Sequence, residues 1–277
     1  MNFDLTKEQI EFREKVRDFA EREVKAVASY NDENEIFDVE LTKKMADLGL
    51  LGMCVPKEYG GHGLDTLSYI IAVEELARVD GSTAATIAAG NSLGISPIKE
   101  YGTKEQKEKY LPRLCKTHLW GFGLTEENAG CDSRGTQSTA RMEGDSWVLN
   151  GSKIFITNSA TPMTLGSTVQ VISGEKNGKP EFTTFLMEND AEGFAQEPMN
   201  RKMMWRASNT GKLTFNNVEL PKENMLGAPG QGSHIMLATL DGGRLSIAAM
   251  GLGCAQGAYE MALAYSQKRE QFGKPIC

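Results

Sequence analysis

Residues 145–158 read "DSWVLNGSKIFITN", and the way they pattern rules out an all-helical chain. Trp147, Val148 and Leu149, then Ile154, Phe155 and Ile156, form two short apolar runs rich in aromatic and β-branched residues. Such runs, bounded by turn residues, are strand signals. Between them stands Asn150-Gly151. That dipeptide is the strongest short hairpin signal, because a type I′ turn needs φ > 0 at both central positions. The stretch therefore predicts a β-hairpin turning at Asn150-Gly151.

Strand signals continue on the C-terminal side. "TVQVIS" and "EFTTFLM" flank "EKNGKP", a second hairpin candidate, and "KLTFNNVEL" follows before Pro221. Short strands at this spacing predict a small antiparallel sandwich or barrel rather than βαβ units. Residues up to about 118 are helical in texture instead. Thr6 with Gln9, and Thr103 with Gln106, have capping-box spacing, with Leu5 and Ile10 at staple positions around the first. Phe12, Val16, Phe19 and Ala20 mark one helical face, and "VELTKKMADLGLL" and "TLSYIIAVEELARV" predict two more helices around the breaker run "PKEYGGHGLD". After "GAPGQGS" a helical pattern runs from about 234 to 269, interrupted by Gly242, Gly243, Gly251, Gly253 and Gly257. Those glycines weaken the helix but allow close approach of a neighbour or ligand.

The expected fold is α+β and multidomain. It has an N-terminal helical domain (1–118), a middle antiparallel β-domain (119–230) and the first part of a C-terminal helical bundle (231–277). So apolar a last helix calls for partner helices, and the expectation is that the remainder of the bundle is missing.

Composition sets outer limits. With 277 residues, 40% hydrophobic and 24% charged, the chain has the makeup of a globular protein. A net charge of −7 argues against a nucleic-acid or anionic-membrane partner. No run approaches about 18 consecutive apolar residues, so no membrane span is expected. The five cysteines have no metal-binding spacing and read as free thiols, and "MNFDLTKEQIEF" has neither a signal-peptide nor a transit-peptide pattern, which points to the cytoplasm. The three histidines form no cluster. "GLGCAQG" is not a dinucleotide fingerprint and "GAPGQGS" lacks the Lys of a P-loop; both read as packing or turn glycines.

"WGFGLTEENAGCDS" (residues 120–133) gathers Gly, Thr, Glu, Asn and Ser. On its own it is either a plain loop or a set of backbone N–H groups and hydroxyls for a polar planar ligand. Together with "PKEYGGHG", "YGTKEQKEKYLP", "LNGSKIFITN", "MMWRASNTGKLTF", "VELPKENMLG", "LDGGRLSIAAMGLG" and "YSQKREQFGKPI", in that order, it resembles the acyl-CoA dehydrogenase family. These flavoproteins oxidise acyl-CoA thioesters between Cα and Cβ, and the chain most resembles the short-chain, butyryl-CoA dehydrogenase-like members.

The resemblance implies FAD between the β-domain and the C-terminal helices. Phe122, Leu124, Thr125, Gly130 and Cys131 match the flavin-binding loop, with Thr125 at the pyrimidine edge. Phe155, Ile156 and Thr157 match the strand whose aromatic packs on the ring and whose Thr supports N5; without the resemblance, Phe155 reads as a β-core aromatic. Asp241 and Arg244 match acyl-CoA-site positions, or are a plain i,i+3 ion pair. Cys131 stands where relatives often carry Ser or Thr near the thioester. Arg269, Gln271 and Phe272 match residues that reach the FAD of a neighbouring subunit, a task suited to the planar Arg fork. Met204 stands where the family usually has Gly.

The family mechanism requires a carboxylate to remove the α-proton. Most relatives supply it from a segment expected beyond Cys277, and a minority from the position that is Gly243 here, so the resemblance assigns no catalytic residue to this chain. It further implies electron transfer to electron-transferring flavoprotein and a dimer or tetramer. The alternatives are a non-catalytic flavin- or partner-binding paralogue, or an acyl-CoA oxidase or reductase on the same fold.

Overall fold

The computed structural model describes residues 3–277. Its N-terminal part is helical: α1 (Lys7–Phe19), a π-helical turn (Ala20–Val24), α2 (Lys25–Glu33), α3 (Val39–Asp47), α4 (Thr66–Ala77), α5 (Gly81–Ala89), a second π-helical stretch (Gly90–Ile95), α6 (Ser96–Tyr101) and α7 (Lys104–Leu114). Both capping boxes form. Gln9 N donates to Thr6 Oγ1 at 3.2 Å and Thr6 N to Gln9 Oε1 at 3.0 Å, and Thr103 and Gln106 repeat the pattern. Two of the four orphan donors at each helix start are satisfied in this way. Val16, Phe19 and Ala20 are buried against α3 and α4 residues such as Met45, Leu76 and Ala77.

Strands follow: β1 (Leu119–Gly123), β2 (Thr139–Glu143), β3 (Ser146–Thr157), β4 (Thr164–Lys176), β5 (Lys179–Glu188), β6 (Phe194–Pro198), β7 (Thr210–Pro221) and β8 (Met225–Leu226). They form one sheet in the order β6-β7-β3-β2-β4-β5-β8, with β1 alongside β4. The sheet is mixed rather than purely antiparallel, since β1 runs parallel to β4 and so does the single β2–β4 pair. β1 enters from α7 and not through a hairpin, so no tight turn forces it to be antiparallel.

The Asn150-Gly151 hairpin does not form. β3 passes straight through the dipeptide, and its hairpin with β2 turns at Gly144-Asp145 instead, pairing Glu143 with Ser146. At Gly151 the chain makes a bulge against β7, with φ +144 and no room for a side chain, because a Cβ would lie 2.3 Å from Ser138 Oγ. Asn150 faces Asn217 across the bulge, the two exchanging bonds of 3.0 and 2.9 Å. The other candidate is a true hairpin: Asn177 (φ +54) and Gly178 (φ +73) link β4 to β5, as a type I′ turn requires.

α8 (Gly232–Ser266) closes the fold, and a two-strand hairpin follows it, β9 (Glu270–Gln271) with β10 (Lys274–Pro275). By length and composition alone α8 is apolar enough to cross a membrane, but Asp241, Arg244, Gln256 and Glu260 interrupt it. It lies against α4, α5 and the second π-helical stretch. Gly253 and Gly257 make this contact possible: a Cβ at either would sit 2.2 or 2.0 Å from the carbonyl oxygen of Glu74 or Arg78.

Candidate functional site

A cleft lies where α5, α8 and the C-terminal end of β3 converge. It comprises two cavities, of about 350 and 220 Å3, which share Ala89, Leu93, Thr157 and Leu240 as lining residues. Small side chains on α5 (Ala85, Ala88, Ala89) and α8 (Gly243, Ser246) hold the larger one open. Asp80 fixes the start of α5 by accepting from Ser82 N at 3.2 Å and Thr83 N at 2.7 Å.

The smaller cavity brings together Phe122, Leu124, Thr125, Gly130, Phe155, Ile156 and Thr157, residues from two segments about 30 positions apart. Within β3 the pairing register slips between Lys153 and Ile156, and Phe155 takes a left-handed backbone with φ +59. Its ring is 61% exposed while Ile154 and Ile156 on either side are buried. An aromatic held in this region costs about 1–2 kcal/mol relative to extended backbone, and turns its ring out of the core toward the cavity. Asn158 (φ +62) follows, fully buried; its Nδ2 donates to Thr86 O at 2.9 Å and so ties the end of β3 to α5.

Under this edge lies a buried ion pair. Lys153 Nζ is 2.7 Å from Glu126 Oε1, and the side chains are 0% and 5% exposed. The Glu126 carboxylate also accepts from Gln137 N at 2.7 Å, Ser138 N at 3.2 Å and Ser138 Oγ at 2.7 Å. Burial would raise its pKa, but Lys153 and these donors outweigh that and hold it below the usual Glu value. Burial pushes Lys153 down, with Glu126 opposing.

The larger cavity carries the positive groups Lys202 and Arg244. Lys202 Nζ donates to Ser208 O and, at 3.0 Å, to Thr210 Oγ1, and burial lowers its pKa. Among the described residues, no Asp or Glu lines either cavity. Asp241 is exposed and pairs with Arg244, as the i,i+3 reading anticipates. Gly243 faces Leu93 and Ser92 at the cavity wall.

The remaining candidates lie elsewhere. Cys131 is exposed and lines neither cavity. Arg269, Gln271 and Phe272 sit on the exposed β9–β10 hairpin, with Phe272 fully exposed at φ +55. In the 201–206 loop the positive φ falls on Arg201 and Trp205, so Met204, where the family usually has Gly, carries no left-handed strain. Reading the sequence found Gly243 and Arg244 on the α8 wall but missed Glu126, Lys153 and the α5 wall of the cleft. The small-residue run "AATIAAG" (84–90) was the one signal for that wall.

Family models for the acyl-CoA dehydrogenase N-terminal, middle and C-terminal domains match residues 6–118, 121–218 and 230–277. The short-chain specific acyl-CoA dehydrogenase of Clostridium acetobutylicum is 47% identical over all of this chain and 73% of its own length. The solved butyryl-CoA dehydrogenase of Megasphaera elsdenii superposes with a TM-score of 0.95 at 42% identity, covering 100% of this chain and 73% of that one. An acyl-CoA dehydrogenase complexed with FAD from Bacillus anthracis gives a TM-score of 0.91 at 37% identity, over 99% of this chain and 47% of that one.

Proposed function

This chain belongs to the acyl-CoA dehydrogenase family, and on that premise we propose that its cleft holds FAD beside a short-chain acyl-CoA thioester for α,β-dehydrogenation. One observation carries the reading: Phe155 is strained, exposed and turned onto a cavity whose wall includes both candidate threonines. A β-core aromatic would need none of this, whereas a ring-stacking surface does. Lys202, with no acidic group lining the cleft among the described residues, suits an electron-rich group, while Arg244 at the rim is shared with Asp241.

FAD, when bound, supplies the acceptor for the β-hydride. The residues that would hold it are Phe122 on β1, Leu124, Thr125, Gly130 and Cys131 on the loop after it, and Phe155, Ile156 and Thr157 on β3. The Thr125 hydroxyl serves the pyrimidine edge, where negative charge gathers on reduction, and the Thr157 hydroxyl serves N5. Asp241 and Arg244 are the candidate acyl-CoA contacts, with Cys131 the candidate near the thioester. Arg269, Gln271 and Phe272, exposed and away from the cleft, suit a second copy of the chain in a dimer or tetramer. A division at 1–118, 119–230 and 231–277, a cytoplasmic location and electron-transferring flavoprotein as acceptor belong to the same reading.

The α-proton needs a base, and the cleft offers no carboxylate among the described residues. That favours a second reading for the chain by itself: flavin binding without turnover. Titration with FAD, followed by assay of butyryl-CoA with an artificial electron acceptor, tests both. The expected result is a flavin complex with negligible dehydrogenation. Failure to bind FAD would refute the cofactor assignment, and ordinary turnover would refute the missing base.

A further inference from the structure

The buried Lys153–Glu126 pair has no part in the proton or hydride chemistry, and a buried ion pair is weak evidence for stability alone. Its position in the chain is what marks it. Glu126 directly follows Leu124 and Thr125, and Lys153 precedes Phe155, Ile156 and Thr157 by two positions. The five residues that line the smaller cavity nearest the pair therefore hang from its two ends. Three segments meet on it. The loop contributes Glu126 and the Leu124 carbonyl, 3.4 Å from Lys153 Nζ; the approach to β2 contributes Gln137 and Ser138; β3 contributes Lys153. Beside it, Ile154 N donates to Thr125 O at 2.9 Å, so loop and strand are joined on the cavity side by backbone and underneath by charge. Gly123 and Gly151 let the segments close up, since a Cβ would lie 3.3 Å from Lys153 Cγ or 2.3 Å from Ser138 Oγ.

We propose that Lys153 and Glu126 are positioning residues for the flavin edge, holding Thr125 and the Phe155–Thr157 segment at the separation the ring system requires. This rests on the flavin reading above. A hydrophobic pair of equal volume would fill the same space. It would not give the loop the same fixed direction, because the charged pair and its three further donors are directional bonds that add to the one backbone link between loop and strand.

The test compares the FAD-loaded chain with the double variant Lys153→Met/Glu126→Gln, which removes both charges at near-constant volume. Readouts are the Kd for FAD, the visible circular dichroism of bound flavin and thermal unfolding of the flavin-free chain. Expected are near-normal unfolding, an altered flavin dichroism band and a Kd raised by about tenfold or more, the scale of one charge-assisted hydrogen bond. A folded double variant with a Kd within about twofold of normal and an unchanged band would overturn the proposal. If the double variant does not fold, Ser138→Ala decides, since it removes one donor to Glu126 and little volume. A Kd raised about threefold or more supports the role and an unchanged Kd overturns it. Should the unsubstituted chain fail to bind FAD, the flavin reading itself falls; a double variant that matches a binding parent sinks only the role of the pair.

Discussion

Gly257 of α8 rests directly on the carbonyl of Arg78, at the C-terminal end of α4: a Cβ added at 257 would lie 2.0 Å from that oxygen. Backbone cannot yield as the tip of a side chain can, so α8 would have to lift away. Gly257→Ala should destabilise the chain by about 1–3 kcal/mol or more. Gly251, two turns earlier, has nothing within 4 Å of its Cβ position. Gly251→Ala should stabilise by about 0.5–1 kcal/mol through helix propensity alone. Urea unfolding of the two variants should therefore give opposite signs; equal effects would contradict the close contact.

Arg78 links three carboxylates, Glu21, Glu75 and Glu260, between the first π-helical turn, α4 and α8. Hydrogen bonds from Lys25 and then Arg78 hold Glu21 below the usual Glu range, and Gln256 and Arg78 do the same for Glu260. Their folded values are depressed, so the stability they add is fully present above the ordinary Glu pKa, about 4.3. It is lost as pH falls through the folded values. Arg78→Gln should cost on the order of 1 kcal/mol at pH 7, since Glu75 keeps Arg17 and the other two carboxylates are partly solvated, and flatten the acid limb of the unfolding curve. An unchanged slope between pH 5 and 3 would show that Arg78 does not set these two carboxylates.

Phe155 trades stability for presentation. Replacing it with Gly removes the left-handed strain, and the exposed ring gives up little packing. Phe155→Gly should raise the stability of the flavin-free chain by about 0.5–1 kcal/mol, the strain relieved less the added freedom of glycine when unfolded. The same change should weaken FAD binding by about tenfold or more. Loss of stability without loss of affinity would return Phe155 to the β-core.

Gly243 offers a way to supply the missing base. It lines the larger cavity, its φ is ordinary, and a Cβ there meets first Leu93 Cδ2 at 3.1 Å, the end of a flexible side chain. Gly243→Glu should fold and bring a carboxylate into the cleft. With FAD bound, exchange of the butyryl-CoA α-proton in heavy water should rise at least about tenfold over the parent chain, below the 10²–10⁴ of an evolved base. No rise would mean that the thioester does not reach this face of α8.

Features that depend on residues a few positions apart could be read directly. The capping boxes at Thr6 and Thr103, the Asn177-Gly178 turn and the change of period near 119 and 230 each rest on contacts within one turn or one hairpin. The flavin-site candidates came from motif resemblance rather than from physics. Seven of them nevertheless line one cavity, while Cys131 and the 269–272 group do not. Without the resemblance Phe155 read as a β-core aromatic, and the register slip in β3 is what turns it out.

Asn150-Gly151 shows where local reading stops. The dipeptide has the right chemistry for a turn, and Asn177-Gly178 turns with the same residues. What differs is Ser138, packed so close to Gly151 that the glycine serves a close approach within a continuous strand. Period, capping and turn chemistry were set by neighbours in the chain, and these made an α+β protein. The path of β3, the contact of α8 with α4 and the meeting of Lys153 with Glu126, 27 positions away, were set by packing. A buried charge becomes tolerable only once the fold has brought its partner to it, and no local pattern announces that partner.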